Sequence, residues 1–204
     1  MSGRFFYWFL VIMTWIILSA CAALPSQPAP PSLAAGTHES GVPVSMTASA
    51  VLFGAPKVLS ITEAEASLKA GVEFLEDLAR EKHDPAAFAK PGVVEYFVPL
   101  AGDKPVIWVY TWCASNPETL LTNFGNIELK FELDEKEISV DSFAVYETDA
   151  NGKRCRLVYT SLSEWTAGEH HLVTVATFKT KINDGLADYE PGDYVLDYMV
   201  YVRL

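Results

Sequence analysis

Ile127-Glu128-Leu129-Lys130-Phe131-Glu132-Leu133 alternates apolar and charged residues at every position. A period of two puts the four apolar side chains on one face of an extended chain and the three charged ones on the other. A strand with one wet face belongs to an antiparallel sheet. The same period continues to either side, in Val93 to Leu100, Val106 to Cys113, Ile138 to Tyr146, Arg156 to Leu162, Leu172 to Lys179 and Tyr194 to Arg203. Between two of these runs stands Asn151-Gly152, the pair suited to a two-residue hairpin loop whose central positions both need positive φ. Seven short strands separated by turn residues predict a mainly β chain, with the strands arranged as an antiparallel β-sandwich over 93–204.

Ahead of the strands, in a segment spanning 44–92, one helix is expected from Thr62 to Lys82. Thr62 and Glu65 have the spacing of a capping box, and Leu68, Val72, Leu75 and Leu78 or Ala79 recur on one face. Lys82, His83 and Asp84-Pro85 mark its end, where a histidine is favoured by the helix dipole when protonated. The helix packs on the sheets. Val44 to Leu59 stays ambiguous, with β-prone pieces interrupted by Gly54 and Pro56.

The closing run Pro191-Gly192-Asp193-Tyr194-Val195-Leu196-Asp197-Tyr198-Met199-Val200-Tyr201-Val202 resembles the last strands of bacterial immunoglobulin-like domains, in which a Pro-Gly turn feeds a tyrosine-rich strand. That resemblance implies an immunoglobulin-like sandwich. The antibody-type pattern is absent: no Trp lies between Cys113 and Cys155, and no Tyr stands two residues before Cys155.

At the other end, Met1 to Arg4 is a short basic start and Phe5 to Leu18 is apolar apart from Thr14, which is the plan of an export signal. Leu18-Ser19-Ala20-Cys21 then resembles the lipobox of bacterial lipoproteins. The resemblance implies cleavage before Cys21, removal of residues 1–20 and a diacylglyceryl thioether on Cys21. Ala22 after the cysteine implies the outer membrane in a two-membrane bacterium, and the cell membrane otherwise. The alternative is an uncleaved anchor from Phe5 to Leu24, which at about 1.5 Å per residue is just long enough to span. In residues 21–43 the lipidated cysteine is followed by Pro25, Pro28, Pro30, Pro31 and Pro43 among small residues, the composition of an extended tether. His38 lies in this tether and is read as incidental.

The chain has 15 Lys and Arg against 26 Asp and Glu, a net charge of −11. Losing the leader removes Arg4 and no acid, which leaves −12. Nucleic acid is excluded as a partner, because phosphate binding needs clustered positive charge. Half the residues are hydrophobic, so the chain carries ample material for a core.

With Cys21 assigned to lipid, Cys113 and Cys155 form an even pair outside the cytoplasm, and a disulfide is expected. It closes a loop of about 43 residues, for about 4 kcal/mol of stabilisation in the chain-entropy account; two buried free thiols are the alternative. His170 and His171 are adjacent, so on a strand they face opposite ways and cannot share one metal. Both read as surface residues near a strand start, although either histidine could pair with Glu169 or a distant carboxylate. Asn183, Asp184, Asp188, Glu190 and Asp193 crowd one loop without the spacing of an EF-hand, and are read as a solvated acidic turn with calcium binding left open. Trp108, Tyr110 and Trp112 share one face of their strand while Ile107, Val109 and Cys113 share the other. Two apolar faces mean that the aromatic one is either covered by the predicted helix or open as a platform for stacking on sugars.

No catalytic motif, cofactor fingerprint or metal motif is present, and no catalytic residue, cofactor or metal ligand is assigned. The expected function is a membrane-anchored extracytoplasmic binding or envelope-interaction module, with an envelope glycan or protein as partner; an envelope hydrolase with dispersed site residues is the alternative. Mass spectrometry of the purified protein should find an acylated Cys21 at its N-terminus. An intact Met1 to Ala20 segment is the result that defeats this reading.

Overall fold

The computed structural model describes residues 54–82, 85–101 and 104–204. Cys21, the proline-rich stretch with His38, the first part of the 44–92 segment and His83 lie outside the described residues. Among those described, no helix is long and apolar enough to cross a membrane.

A short strand β1 (Lys57–Val58) leads to helix α1 (Ile61–Lys69), then two 3₁₀ turns (Leu75–Leu78 and Pro85–Phe88) precede β2 (Gly92–Ala101) and β3 (Val106–Ala114). Helix α2 (Pro117–Phe124) follows, and after it come β4 (Ile127–Leu133), β5 (Lys136–Ile138), β6 (Ala144–Ala150), β7 (Lys153–Ser163) and β8 (Gly168–Phe178). The chain ends with β9 (Ile182–Asn183), β10 (Asp188–Tyr189) and β11 (Gly192–Arg203). The fold is mainly β, with antiparallel pairing throughout except for β2, which lies parallel to β11.

One sheet centres on β7, which pairs with β3 along one side and with β6 and β1 along the other. The second runs β2-β11-β8-β4-β5, and β9 and β10 form a separate hairpin. Asn151 and Gly152 close the β6–β7 hairpin with φ of 53° and 76°, the left-handed pair that the two-residue loop demands. Pro99 sits in β2, which among the described residues has a neighbour strand on one side only, the position where a missing N–H is tolerated.

β3 explains how the layers come together. Its even residues, Val106, Trp108, Tyr110 and Trp112, join a core shared with Phe131, Leu172, Ala176, Tyr198 and Val200 of the second sheet. Trp108 is fully enclosed at 0% exposure, its ring meeting Phe131 edge-on at 5.1 Å and Phe143 at 6.0 Å. Its indole N–H donates to the Thr174 hydroxyl at 3.0 Å, so a polar bond crosses the apolar space between sheets. The odd residues Ile107 and Val109 form a separate cluster with Ala64, Ala144 and Tyr159, against which Leu68 and Val72 pack.

The helix therefore covers the face opposite to the aromatic one, and the second sheet covers the aromatic one. α1 is also shorter than the Thr62 to Lys82 prediction. Its cap is Ser60, whose hydroxyl accepts from the Glu63 N–H while the Glu63 carboxylate accepts from the Ser60 N–H, so the capping box begins two residues earlier than Thr62. Gly71, at φ 73°, then takes the chain out of helical geometry, and Phe74 instead bridges to Ile107 beside β3. The strand predicted from Ile138 to Tyr146 is two strands in different sheets. Ser139 caps a 3₁₀ turn at Val140–Ser142 that carries the chain from β5 across to β6.

Cys113 and Cys155 are bonded, facing each other on β3 and β7 with Cα atoms 4.0 Å apart. Truncating Trp108 to Ala should cost about 3–5 kcal/mol in urea unfolding, the range for emptying a large core site. Trp108→Phe keeps most of the volume but strands the Thr174 hydroxyl, and should cost about 1–3 kcal/mol. A loss below about 1 kcal/mol for the alanine variant would show that the two sheets do not depend on this ring.

Candidate functional site

Toward the Ala114 end of β3 the core opens into a cavity of about 320 Å³, within the size range of small-ligand sites. Its aromatic wall includes Phe88, together with Tyr110 and Trp112 from β3, Phe178 from β8, Tyr189 from β10 and Tyr194 from β11. Trp112 meets Tyr189 edge-on at 4.9 Å and Phe178 at 5.2 Å, and Phe178 stacks on Tyr194 at 4.3 Å. The polar part of the wall includes Glu76, Lys153 and Asp184. Trp112 is 9% exposed, and its buried indole N–H has no hydrogen-bond partner among the described residues.

Burial holds the Tyr110 phenol far above its ordinary pKa, and burial likewise raises Tyr189 and Tyr194. All three stay neutral hydroxyls that can donate as well as accept. Tyr194 donates to the Glu190 carbonyl at 3.0 Å.

One wall rests on the acidic loop, and here the structure differs from a solvated turn. Asp184 is only 3% exposed. Its Oδ1 accepts from the N–H groups of Leu186 and Ala187, both at 2.8 Å, and its Oδ2 takes the Lys153 ammonium at 3.1 Å. The loop is tied to the body through the Ser115 N–H, which donates to the Asp184 carbonyl at 2.7 Å, and through Asn123, which donates to the Asn183 carbonyl at 3.0 Å. Gly185, at φ 94°, lies so near Ser115 that a Cβ there would sit 2.0 Å from the hydroxyl oxygen; no larger residue fits. The remaining carboxylates are engaged as well: Asp188 and Glu190 flank Lys181, both at 3.1 Å, and Asp193 accepts from Thr177. Among the described residues no group of three or more His, Cys, Asp or Glu side chains is placed to hold a metal.

His170 and His171 do face opposite ways. His171 is exposed and pairs with Asp197 at 2.6 Å. His170, contrary to the surface expectation, is 2% exposed because β8 turns its even residues into the core. Its Nδ1 lies 2.9 Å from Asp134 and its Nε2 3.0 Å from the Thr166 carbonyl. Asp134, His170 and Thr166 are thus in line like an orienting acid, a base and a nucleophile. The Thr166 hydroxyl, however, donates to the Gly54 carbonyl at 2.7 Å, the His170 ring is enclosed, and Asp134 also accepts from the His171 N–H at 2.9 Å, so this row clips the β4–β5 turn to β8.

Of the three aromatic residues singled out on β3, Trp108 lies in the closed core while Tyr110 and Trp112 reach the cavity. Phe178, Tyr189 and Tyr194 join the wall without any local signal, since they come from strands distant in sequence from β3. The nearest hint is Tyr189, an aromatic inside an otherwise acidic loop.

Burial by itself would raise the Asp184 carboxyl, but the N–H groups of Ala187 and Leu186 together with Lys153 outweigh it, and its pKa falls below the ordinary 3.8. The charge therefore stabilises the fold fully above about pH 4, and that contribution is lost as pH falls through the depressed folded-state value. Asp184→Asn keeps a turn acceptor and loses the ion pair. It should be less stable than the parent by about 1 kcal/mol in urea at pH 7, with the gap closing in acid; a gap independent of pH would disprove the assignment.

No family model matches the chain, and no curated protein matches it. Among solved structures, the cysteine protease inhibitor EhICP2 from Entamoeba histolytica aligns with 11% identity and a TM-score of 0.31, over 56% of this chain and 96% of its own. PbICP-C, solved in complex with falcipain-2, aligns with 8% identity and a TM-score of 0.33, over 56% of this chain and 92% of its own. The Plasmodium falciparum protein Pf12p aligns with 6% identity and a TM-score of 0.28, over 54% of this chain and 42% of its own. Scores of this size assign neither a family nor an activity to the chain.

Proposed function

We propose that this chain is a lipid-anchored extracytoplasmic protein whose folded part is a non-catalytic binding module, with the aromatic cavity as its ligand site. The observation that carries the reading is the aromatic cavity wall, with Tyr110, Trp112, Phe178, Tyr189 and Tyr194 in it. Aromatic walls offer large apolar contact at low entropy cost, and hydroxyl and indole groups orient what they hold. The Lys153–Asp184 pair satisfies its own charges.

Anchoring through lipid on Cys21 rests on Leu18-Ser19-Ala20-Cys21 and the apolar run before it. The Cys113–Cys155 disulfide supports placement outside the cytoplasm, where such bonds persist. The finer reading of the fold is an immunoglobulin-like β-sandwich. Its supports are two sheets sharing one interior and the Pro191-Gly192 entry into tyrosine-rich β11.

Tyr189 is the residue to change, because it is half-buried on the hairpin rather than in the closed core. Titration of the full chain with soluble oligosaccharides and peptides, read by tryptophan fluorescence, should give a saturable change. Tyr189→Ala should weaken that response by about tenfold or more, as loss of an aromatic anchor does, while unfolding at a similar temperature. A panel with no response, or turnover of a hydrolase substrate abolished by substituting one acid or histidine, would displace the binding reading.

A further inference from the structure

The rings of the cavity form a corner rather than a flat platform. Phe88, Tyr110, Trp112, Phe178, Tyr189 and Tyr194 line it. Trp112 stands at 72° to Tyr189 and at 81° to Phe178, while Phe178 lies nearly parallel to Tyr194 at 29°. A sugar ring stacks along one flat aromatic surface, whereas rings set at steep angles suit a rounded group that touches several of them at once. At about 320 Å³ the cavity is at the small end of the range for ligand sites.

The charged side chains in the wall are Glu76, Lys153 and Asp184, one cation against two acids. Lys153 and Asp184 lie 3.1 Å apart and neutralise each other. Glu76 stands half-buried on the 3₁₀ turn Leu75–Leu78, and its Oε1 accepts from the Tyr198 phenol at 2.7 Å. Tyr198 is fully enclosed, and burial together with the Glu76 charge holds its phenol well above the ordinary pKa, so it stays a neutral donor. A carboxylate accepts several bonds at once, so a bond from a neutral phenol fixes its direction and leaves its charge in place. The wall thus sets one net negative charge beside aromatic surface, in a chain whose net charge of −11 draws cations toward it.

We propose that the cavity takes a small organic cation whose ammonium nitrogen is fully alkylated, its alkyl groups against the aromatic corner and its charge toward Glu76. This rests on the cavity being a ligand site and names the class of its ligand. A primary ammonium carries three N–H donors, each needing an acceptor once buried, and an aromatic wall supplies few. A quaternary ammonium has no N–H to satisfy, buries its alkyl groups as apolar surface, and is attracted by the quadrupoles of the rings. An anionic ligand meets the opposite situation, because the one lysine in the wall is already held by Asp184.

The test is calorimetric titration of the full-length protein with choline and with 3,3-dimethylbutan-1-ol, which has the same shape and a carbon in place of the charged nitrogen. Choline should bind about tenfold more tightly than its neutral isostere. Glu76→Gln keeps an acceptor for Tyr198 and removes the charge, and Tyr189→Leu keeps apolar bulk and removes a ring; each should cut that preference to about threefold or less. Asp77→Asn, an exposed acid on the same turn but outside the cavity lining, should leave the preference unchanged. Glycerophosphocholine binding as tightly as choline would identify the ammonium as that of a lipid headgroup, and weaker binding would identify it as that of a free cation; the site stands in both cases. Equal binding of choline and the isostere, or a preference that survives Glu76→Gln and Tyr189→Leu, would overturn the proposal. A saturable response to an oligosaccharide or peptide that Tyr189→Ala weakens, with none to choline, would keep the cavity as a ligand site and remove the ammonium. No response to any of these probes would overturn both.

Discussion

The hydrogen bond from the Trp108 indole to the Thr174 hydroxyl sits where water cannot replace it, and the packing around it follows from that. A buried N–H must find an acceptor, and Thr174 supplies one only if the two sheets face each other at a fixed offset. Phe131 and Phe143 then close on the ring from the other sides, stacked on each other at 4.1 Å. An aliphatic residue in place of Trp108 would fill space without selecting an offset. The same strand, apolar on its back, also dictates where α1 must lie.

Two apolar faces on β3 were legible from Val106 to Cys113, and so was the disulfide pair. What covered each face was not. Sequence near β3 offered one amphipathic helix, and the strands that pack on Trp108 come from residues 127–133, 168–178 and 192–203, whose side-chain alternation fits any partner sheet equally well. The helix stops before its apolar spacing does, because Leu75 and Leu78 keep that spacing in a 3₁₀ turn that Gly71 has already separated from α1. α2 went unread although Asn116-Pro117-Glu118 carries its start signal. The Asn116 side chain accepts from Thr119 N–H, and Pro117 begins the helix. The Ile127–Leu133 strand and the Asn151-Gly152 turn were readable in full, since each is specified by its own residues.

The site was half legible for a related reason. Tyr110 and Trp112 stand out because they are consecutive on one strand face. Tyr189 and Asp184 hold places in a loop whose composition signals acidity and hides geometry. Asp184 uses its carboxylate to build the turn, so the loop that looks most hydrated in sequence is partly buried. The two sides of the cavity also differ in how they are held. β3 is bonded to β7 through Cys113, while Tyr189 stands on a two-residue pairing with β9. Rings on so short a hairpin are the natural place for the cavity to adjust its width.

The parallel pairing of β2 with β11 carries a further consequence, for the order in which the molecule is made. Tyr96 stacks on Tyr198 at 5.0 Å, across roughly a hundred residues of chain. Contacts of such sequence separation make folding slow, because the loop between them must be closed before any of them forms. β8 also pairs with β11, so β8 has only β4 beside it until residues 192–203 are available. A growing chain can therefore pair β3, β6 and β7 early, while β2 waits without a strand beside it for the last residues to arrive, so the β2–β11–β8 part of the sheet closes last.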